Sequence, residues 1–132
     1  MSDYSKDKKN KTEKLPVMFS ITESRELLPK IYKITEKYYK RVEKLRVNLL
    51  DSDDPQETKR LENNINKAIH KWAEEMVNYE VKVVGLWSVD FDSGDGIYYY
   101  WKFPEIDINY FHIYEKGIEA KRPISLLEGR VK

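Results

Sequence analysis

Two apolar ladders, one after the other, dominate the hydrophobic pattern of this chain. Leu27, Ile31, Ile34, Tyr38, Val42, Leu45 and Leu49 recur at alternating steps of three and four, and Leu61, Ile65, Ala68, Trp72, Met76, Tyr79 and Val83 repeat those steps. That spacing puts each set on one stripe of a helix. Two striped helices joined by the short polar break Asp51-Ser52-Asp53-Asp54-Pro55 bury their stripes best against each other, as an antiparallel hairpin over residues 20–83. The punctuation agrees. Ser20 with Glu23 forms a capping-box pattern, and Asp54, Pro55 and Glu57 form a second start signal. Pro29 lies inside the first helix and is expected to bend it near Arg25. Gly85 is the expected stop of the second helix.

Beyond Gly85 the period changes to two. Residues 86–92, 97–103 and 106–114 read as strands, with a short last strand over 118–124. Ser93-Gly94-Asp95-Gly96 is a strong hairpin-turn signal. If Pro104-Glu105 is a two-residue turn, Trp101 faces Ile108 and Tyr99 faces Tyr110. Ile97, Tyr99, Trp101, Phe103, Ile106, Ile108, Tyr110 and His112 then share one face, expected to cover the helices. Tyr98, Tyr100, Lys102, Asp107, Asn109, Phe111 and Ile113 fall on the other. The expected fold class is α+β: a two-helix hairpin packed on an antiparallel sheet of three or four strands. Residues 1–17 read as a disordered basic tail, 18–124 as one domain (hairpin 20–83, sheet 86–124), and 125–132 as a C-terminal tail.

Several ordered motifs in this frame resemble an uncharacterised family, the DUF2203 domain family. Phe19-Ser20-Ile21-Thr22-Glu23-Ser24-Arg25-Glu26-Leu27-Leu28-Pro29 looks like its opening F-[ST]-x-x-E-A-x-x-L-L-P. Gly85-Leu86 with Val89-Asp90-Phe91 looks like G-L-V-D-F, Trp101-Lys102 like C-W-[KR], and Glu105-Ile106 like G-E-x-x-I. Tyr110-Phe111-His112 and residues 117–124 look like [FY]-W-H … G-F-x-x-R-x-P-[IL]. The resemblance spans about residues 18–124 and rests on the ordered set, since no single motif is diagnostic. The chain departs from the pattern at Tyr100 (Cys in many relatives), at Phe111 (Trp), at Phe103-Pro104 (Gly), and in two extra residues between Leu86 and Val89. If a Cys–Trp–His site exists elsewhere in the family, its Cys is missing here. The resemblance implies the hairpin-plus-sheet fold and little about activity.

Composition narrows the function classes. The 132 residues contain no cysteine, which excludes disulfides, thiolate zinc sites and cysteine nucleophiles. No run reaches the length of a membrane span, and the N-terminus lacks the apolar segment of a signal peptide, so a cytoplasmic protein without membrane association is expected. The 36% of charged residues, with one Gln and no Cys, resembles a thermophile composition. The net charge is +1, unevenly spread. Residues 20–50 hold eight basic and four acidic groups, and residues 51–80 hold four and eight. A basic helix beside an acidic one is complementary within the chain, a blander account of the lysines than a nucleic-acid patch.

Candidate chemistry is sparse. His112 could act as a general base or ligand with Glu105, Asp90 or Arg122 nearby, or serve as a hydrogen-bonded structural residue. Arg122, beside Lys121, could clamp an anion by its planar fork or pair with Glu105 or Asp90. The other histidine, His70, lies off the ladder, and no metal-ligand spacing is present; neither a metal nor another cofactor is expected. Asp90, Asp92 and Asp95 lack the order of a calcium loop. No phosphate loop, nucleophile elbow or dinucleotide fingerprint occurs. Tyr98, Tyr100 and Lys102 make a row that could stack bases or meet a protein. The reading that follows leans away from catalysis. It is an interaction or scaffold module using a Tyr-rich sheet face (Tyr98, Tyr100, Lys102, Lys121, Arg122), engaging a protein partner or a second copy. The alternatives are an enzyme or small-ligand binder around His112, Glu105 and Arg122, and, more weakly, a ribosome- or nucleic-acid-associated protein.

Overall fold

Ser20 caps the first helix with a true capping box. Its hydroxyl accepts from the Glu23 amide and the Glu23 carboxylate accepts from the Ser20 amide, both at 2.9 Å. The computed structural model describes residues 17–128, so of the expected tails, 1–17 and 125–132, all but residues 17 and 125–128 lie outside the described residues. Helix α1 (Ile21–Leu50) contains Pro29 without ending at it, and helix α2 (Pro55–Asn78) starts on an Asp54 cap with Pro55 in its first turn. The second capping box does not form: the Glu57 carboxylate turns to Arg60 instead, at 2.6 and 3.0 Å.

The two helices pair along the ladders. Ile31, Tyr38 and Val42 of α1 and Leu61, Ala68, Trp72 and Met76 of α2 are buried. Two polar contacts pin the register: Trp72 Nε1 donates to Thr35 Oγ1 at 2.9 Å inside the core, and the Tyr38 hydroxyl donates to Glu75. Ser24, Leu28 and Thr35, off the ladder, are buried too. The buried face of α1 is wider than one stripe because that helix also meets the sheet. Tyr32 packs on Trp101 and Phe103, and Tyr39 on Trp87 and Phe103.

Helix α2 stops earlier than the ladder suggests. Glu80 has φ +64°, which breaks the helix, and Val83 belongs to a strand. The residues read as one strand over 86–92 are instead the second arm of a hairpin. Strand β1 (Lys82–Gly85) and strand β2 (Ser88–Asp92) are joined by Leu86 and Trp87. Trp87 sits at φ +62°, a conformation unfavourable for a bulky residue. Burial of its indole edge-on against Trp72, with centroids 5.1 Å apart, offsets that cost. Strands β3 (Ile97–Lys102), β4 (Tyr110–Ile113) and β5 (Arg122–Pro123) complete a five-stranded antiparallel sheet in sequential order, one or two strands more than expected. A 3₁₀ turn at Ile118–Ala120 precedes β5, and a short helix α3 (Ser125–Glu128) follows it.

The β3–β4 register differs from the expected one by a single residue. Tyr99 pairs with Phe111 and Tyr100 with Tyr110, and a longer loop replaces the two-residue turn at Pro104-Glu105. A one-residue slip exchanges faces. Phe111 therefore joins Val89, Phe91 and Trp101 in the core against the helices. Tyr110 and His112 leave the expected helix-facing set and join Tyr98, Tyr100 and Asp90 on the outer face.

Candidate functional site

On the outer face, Asp90 pairs with Tyr100 and His112 with Tyr98, so Asp90 and His112 sit in adjacent cross-strand rows and meet on the diagonal across β3, beside Tyr98. Asp90 is only 1% exposed and His112 only 6%. His112 Nε2 lies 2.8 Å from Asp90 Oδ2, and Nδ1 lies 2.9 Å from the Lys116 carbonyl. A carbonyl only accepts, so Nδ1 carries a proton and donates. The Nε2–Oδ2 contact then requires one proton between the two atoms, whichever of them holds it. Asp90 Oδ1 is buried with no hydrogen-bond partner among the described residues. Burial is the largest influence on this carboxyl and raises it above the ordinary range, while the His112 bond pulls it back part of the way. Both imidazole nitrogens are engaged, so neither is presented to a substrate or a metal. The pair clamps the 114–121 segment to the sheet.

Cations rest on the tyrosines around this pair. Lys82 Nζ lies 5.0 Å from the Tyr98 ring centre, and Lys121 Nζ lies 4.5 Å from Tyr110 and 5.4 Å from Tyr100. Tyr98 also stacks, tilted, on His112 and Tyr114 at 5.3 and 4.8 Å. Tyr114 donates to Asp92, a bond that raises its phenol. A pocket of about 400 Å³ is lined by Asp90, His112, Tyr98, Tyr114, Lys82 and Lys116, among others. A smaller one, about 170 Å³, lies between His112 and Arg122.

The candidate residues separate into two groups. Asp90 and His112 meet directly. Glu105 does not join them: its carboxylate accepts from the Lys102 amide at 3.0 Å and its carbonyl from Trp101 Nε1 at 2.6 Å, shaping the turn after β3. Arg122 is exposed on β5 and makes no ion pair among the described residues, so the expected pairing with Glu105 or Asp90 does not form. Tyr100 is buried rather than presented, covered by Lys121, while Lys102 and Lys121 are exposed. Lys82, Tyr114 and Lys116 escaped sequence reasoning. Their places depend on β1 and on the 114–121 segment folding over the sheet, and no local motif signals either. Among the described residues, no group of three or more His, Asp or Glu could hold a metal ion, and no helix is long and apolar enough to cross a membrane.

Hairpin, sheet and clamped outer face together define a small α+β domain. Residues 17–124 match a family described as an uncharacterized conserved protein family, DUF2203, and the chain belongs to it. No curated protein and no solved structure matches the chain.

Proposed function

We propose that this protein is a non-enzymatic interaction module whose outer sheet face docks an acidic protein surface. The observation that carries the reading is the engagement of both His112 nitrogens beneath a lysine-capped tyrosine row. The most reactive side chain on the face is committed to structure, and what the face offers outward includes four ammonium groups, with Glu115 beside two of them. Lys82, Lys102, Lys116 and Lys121 are exposed there, two of them pre-ordered on aromatic rings. Pre-ordering reduces the side-chain entropy lost when a partner carboxylate binds. Anisotropy titration of a labelled Glu- and Tyr-rich peptide tests this. Binding should weaken as salt rises and weaken at least tenfold in Lys82→Glu/Lys121→Glu. Salt-independent binding, or no effect of the double variant, rejects the reading. Tighter binding of a single-stranded oligonucleotide than of the peptide would move the partner to nucleic acid.

A second reading has its own support in Asp90, whose unpartnered Oδ1 belongs to a residue lining the 400 Å³ pocket. A small ligand bearing an N–H or O–H donor would satisfy that oxygen. Screening of small heterocyclic amines by chemical-shift change at the Tyr98 and Tyr114 rings checks it. No perturbation of either ring excludes it.

A further inference from the structure

A different surface, where the 103–109 loop lies against the start of α1, has the form of a self-complementary patch. Ile106 is 87% exposed, the most exposed large apolar side chain among the described residues. It is one wall of a groove of about 310 Å³ whose surface is mostly apolar and whose other lining residues are Leu28, Pro29 and Tyr32 with the charged Arg25, Lys33 and Asp107. Arg25 bonds Asp107 at 3.0 Å and Glu128 at 2.9 Å, linking the loop and α3 to the helix. Lys33 has no ion-pair partner among the described residues.

We propose that this patch is the interface of a two-fold homodimer in which Ile106 of each copy enters the Leu28–Pro29–Tyr32 groove of the other. A two-fold interface requires knob and hole to share one patch, so that each copy supplies both. Here they adjoin. The rim charges obey the same requirement, since the rotation that exchanges knobs brings Lys33 of one copy toward Asp107 of the other. A like-charged rim would have argued for a different partner; this one is complementary to itself. The loop's link to the helix adds to the case, because a tethered apolar knob gives up less entropy on insertion.

Analytical ultracentrifugation of the full chain, from low micromolar to near-millimolar concentration, tests the proposal. The wild type is expected to show a concentration-dependent dimer. Ile106→Asp should weaken association at least tenfold with unchanged thermal unfolding, since Ile106 packs little within its own copy. Lys33→Asp and Asp107→Lys should each weaken self-association, with the thermal unfolding of Asp107→Lys compared with wild type because it also removes the Arg25 bond of its own copy. An equimolar mixture of the two should nonetheless recover a heterodimer, because both rim contacts are then of opposite sign. A wild type that stays monomeric throughout overturns the proposal. So does a dimer that survives Ile106→Asp, or a charge-swapped mixture that fails to pair. None of these results bears on the outer sheet face, which lies elsewhere.

Discussion

Replacing His112 by Leu isolates the Asp90 carboxyl in its buried position. Among the described residues Oδ1 already lacks a partner, and the substitution removes the one that Oδ2 has there. Breaking a buried pair from one side costs on the order of 3–5 kcal/mol when the remaining charge stays ionised. The carboxyl has an escape, which is to bind a proton. At pH 7 that costs about 1.4 kcal/mol for each of the roughly three pH units above an ordinary Asp value near 3.9, so about 4 kcal/mol caps the penalty. The sign follows from the raised folded-state carboxyl. A group whose pKa is higher folded than unfolded binds more protons in the folded state, so its contribution is intact below about pH 4 and is lost as pH rises. The His112→Leu deficit should therefore be about 3–4 kcal/mol at pH 7 and fall to about 1–2 kcal/mol at pH 5. Urea unfolding followed by tryptophan fluorescence measures it, since Trp72, Trp87 and Trp101 are all buried and report global unfolding. Replacing both partners, as Asp90→Val/His112→Leu, should return stability to within about 1 kcal/mol of wild type or above it, because no buried charge is left alone. A single-variant deficit under about 1 kcal/mol at pH 7, or one that does not change with pH, would mean that no buried charge is stranded.

Three other outcomes are expected. Thr35→Val should cost about 1–3 kcal/mol by leaving the buried Trp72 N–H unpaired, and Thr35→Val/Trp72→Phe should cost less than the sum of its singles in a double-mutant cycle by chemical denaturation. Ser20→Ala, which removes the hydroxyl of the capping box, should lower stability by about 1 kcal/mol, read as a shift in the urea midpoint at constant slope. Gly94→Ala should cost more than the roughly 1 kcal/mol typical of a left-handed position, because φ is +74° and an added Cβ would also meet the side chain of Met18; thermal unfolding checks it.

The hairpin was legible without coordinates because helix periodicity is local. Steps of three and four place Ile31, Tyr38, Trp72 and Met76 on their stripes whatever the rest of the chain does, and the Ser20 box and the Asp54-Pro55 start are read from adjacent residues. Membership of the family followed from motifs in order along the chain. The sheet was legible as antiparallel but not in its register. Local alternation assigns which residues share a strand face, while a loop of unknown length decides how two strands align. The loop after β3 is longer than two residues, so Phe111 turned inward and His112 outward. Hairpin β1–β2 was hidden for a related reason: its turn holds Trp87 at φ +62°, a conformation supported by the packing of its indole on Trp72 and Tyr39 and by the Phe103 amide, which donates to its carbonyl.

Composition, period and punctuation thus determined the helices, the strand-rich half and the lack of cysteine chemistry, all properties of residues near one another in sequence. The tertiary structure alone decided that His112 meets Asp90, that Arg122 shares a pocket with His112 without pairing with Asp90, and that Ile106 projects beside a groove in α1. Those relations join residues up to about eighty positions apart, where the energy of a contact depends on packing and burial that no local pattern contains.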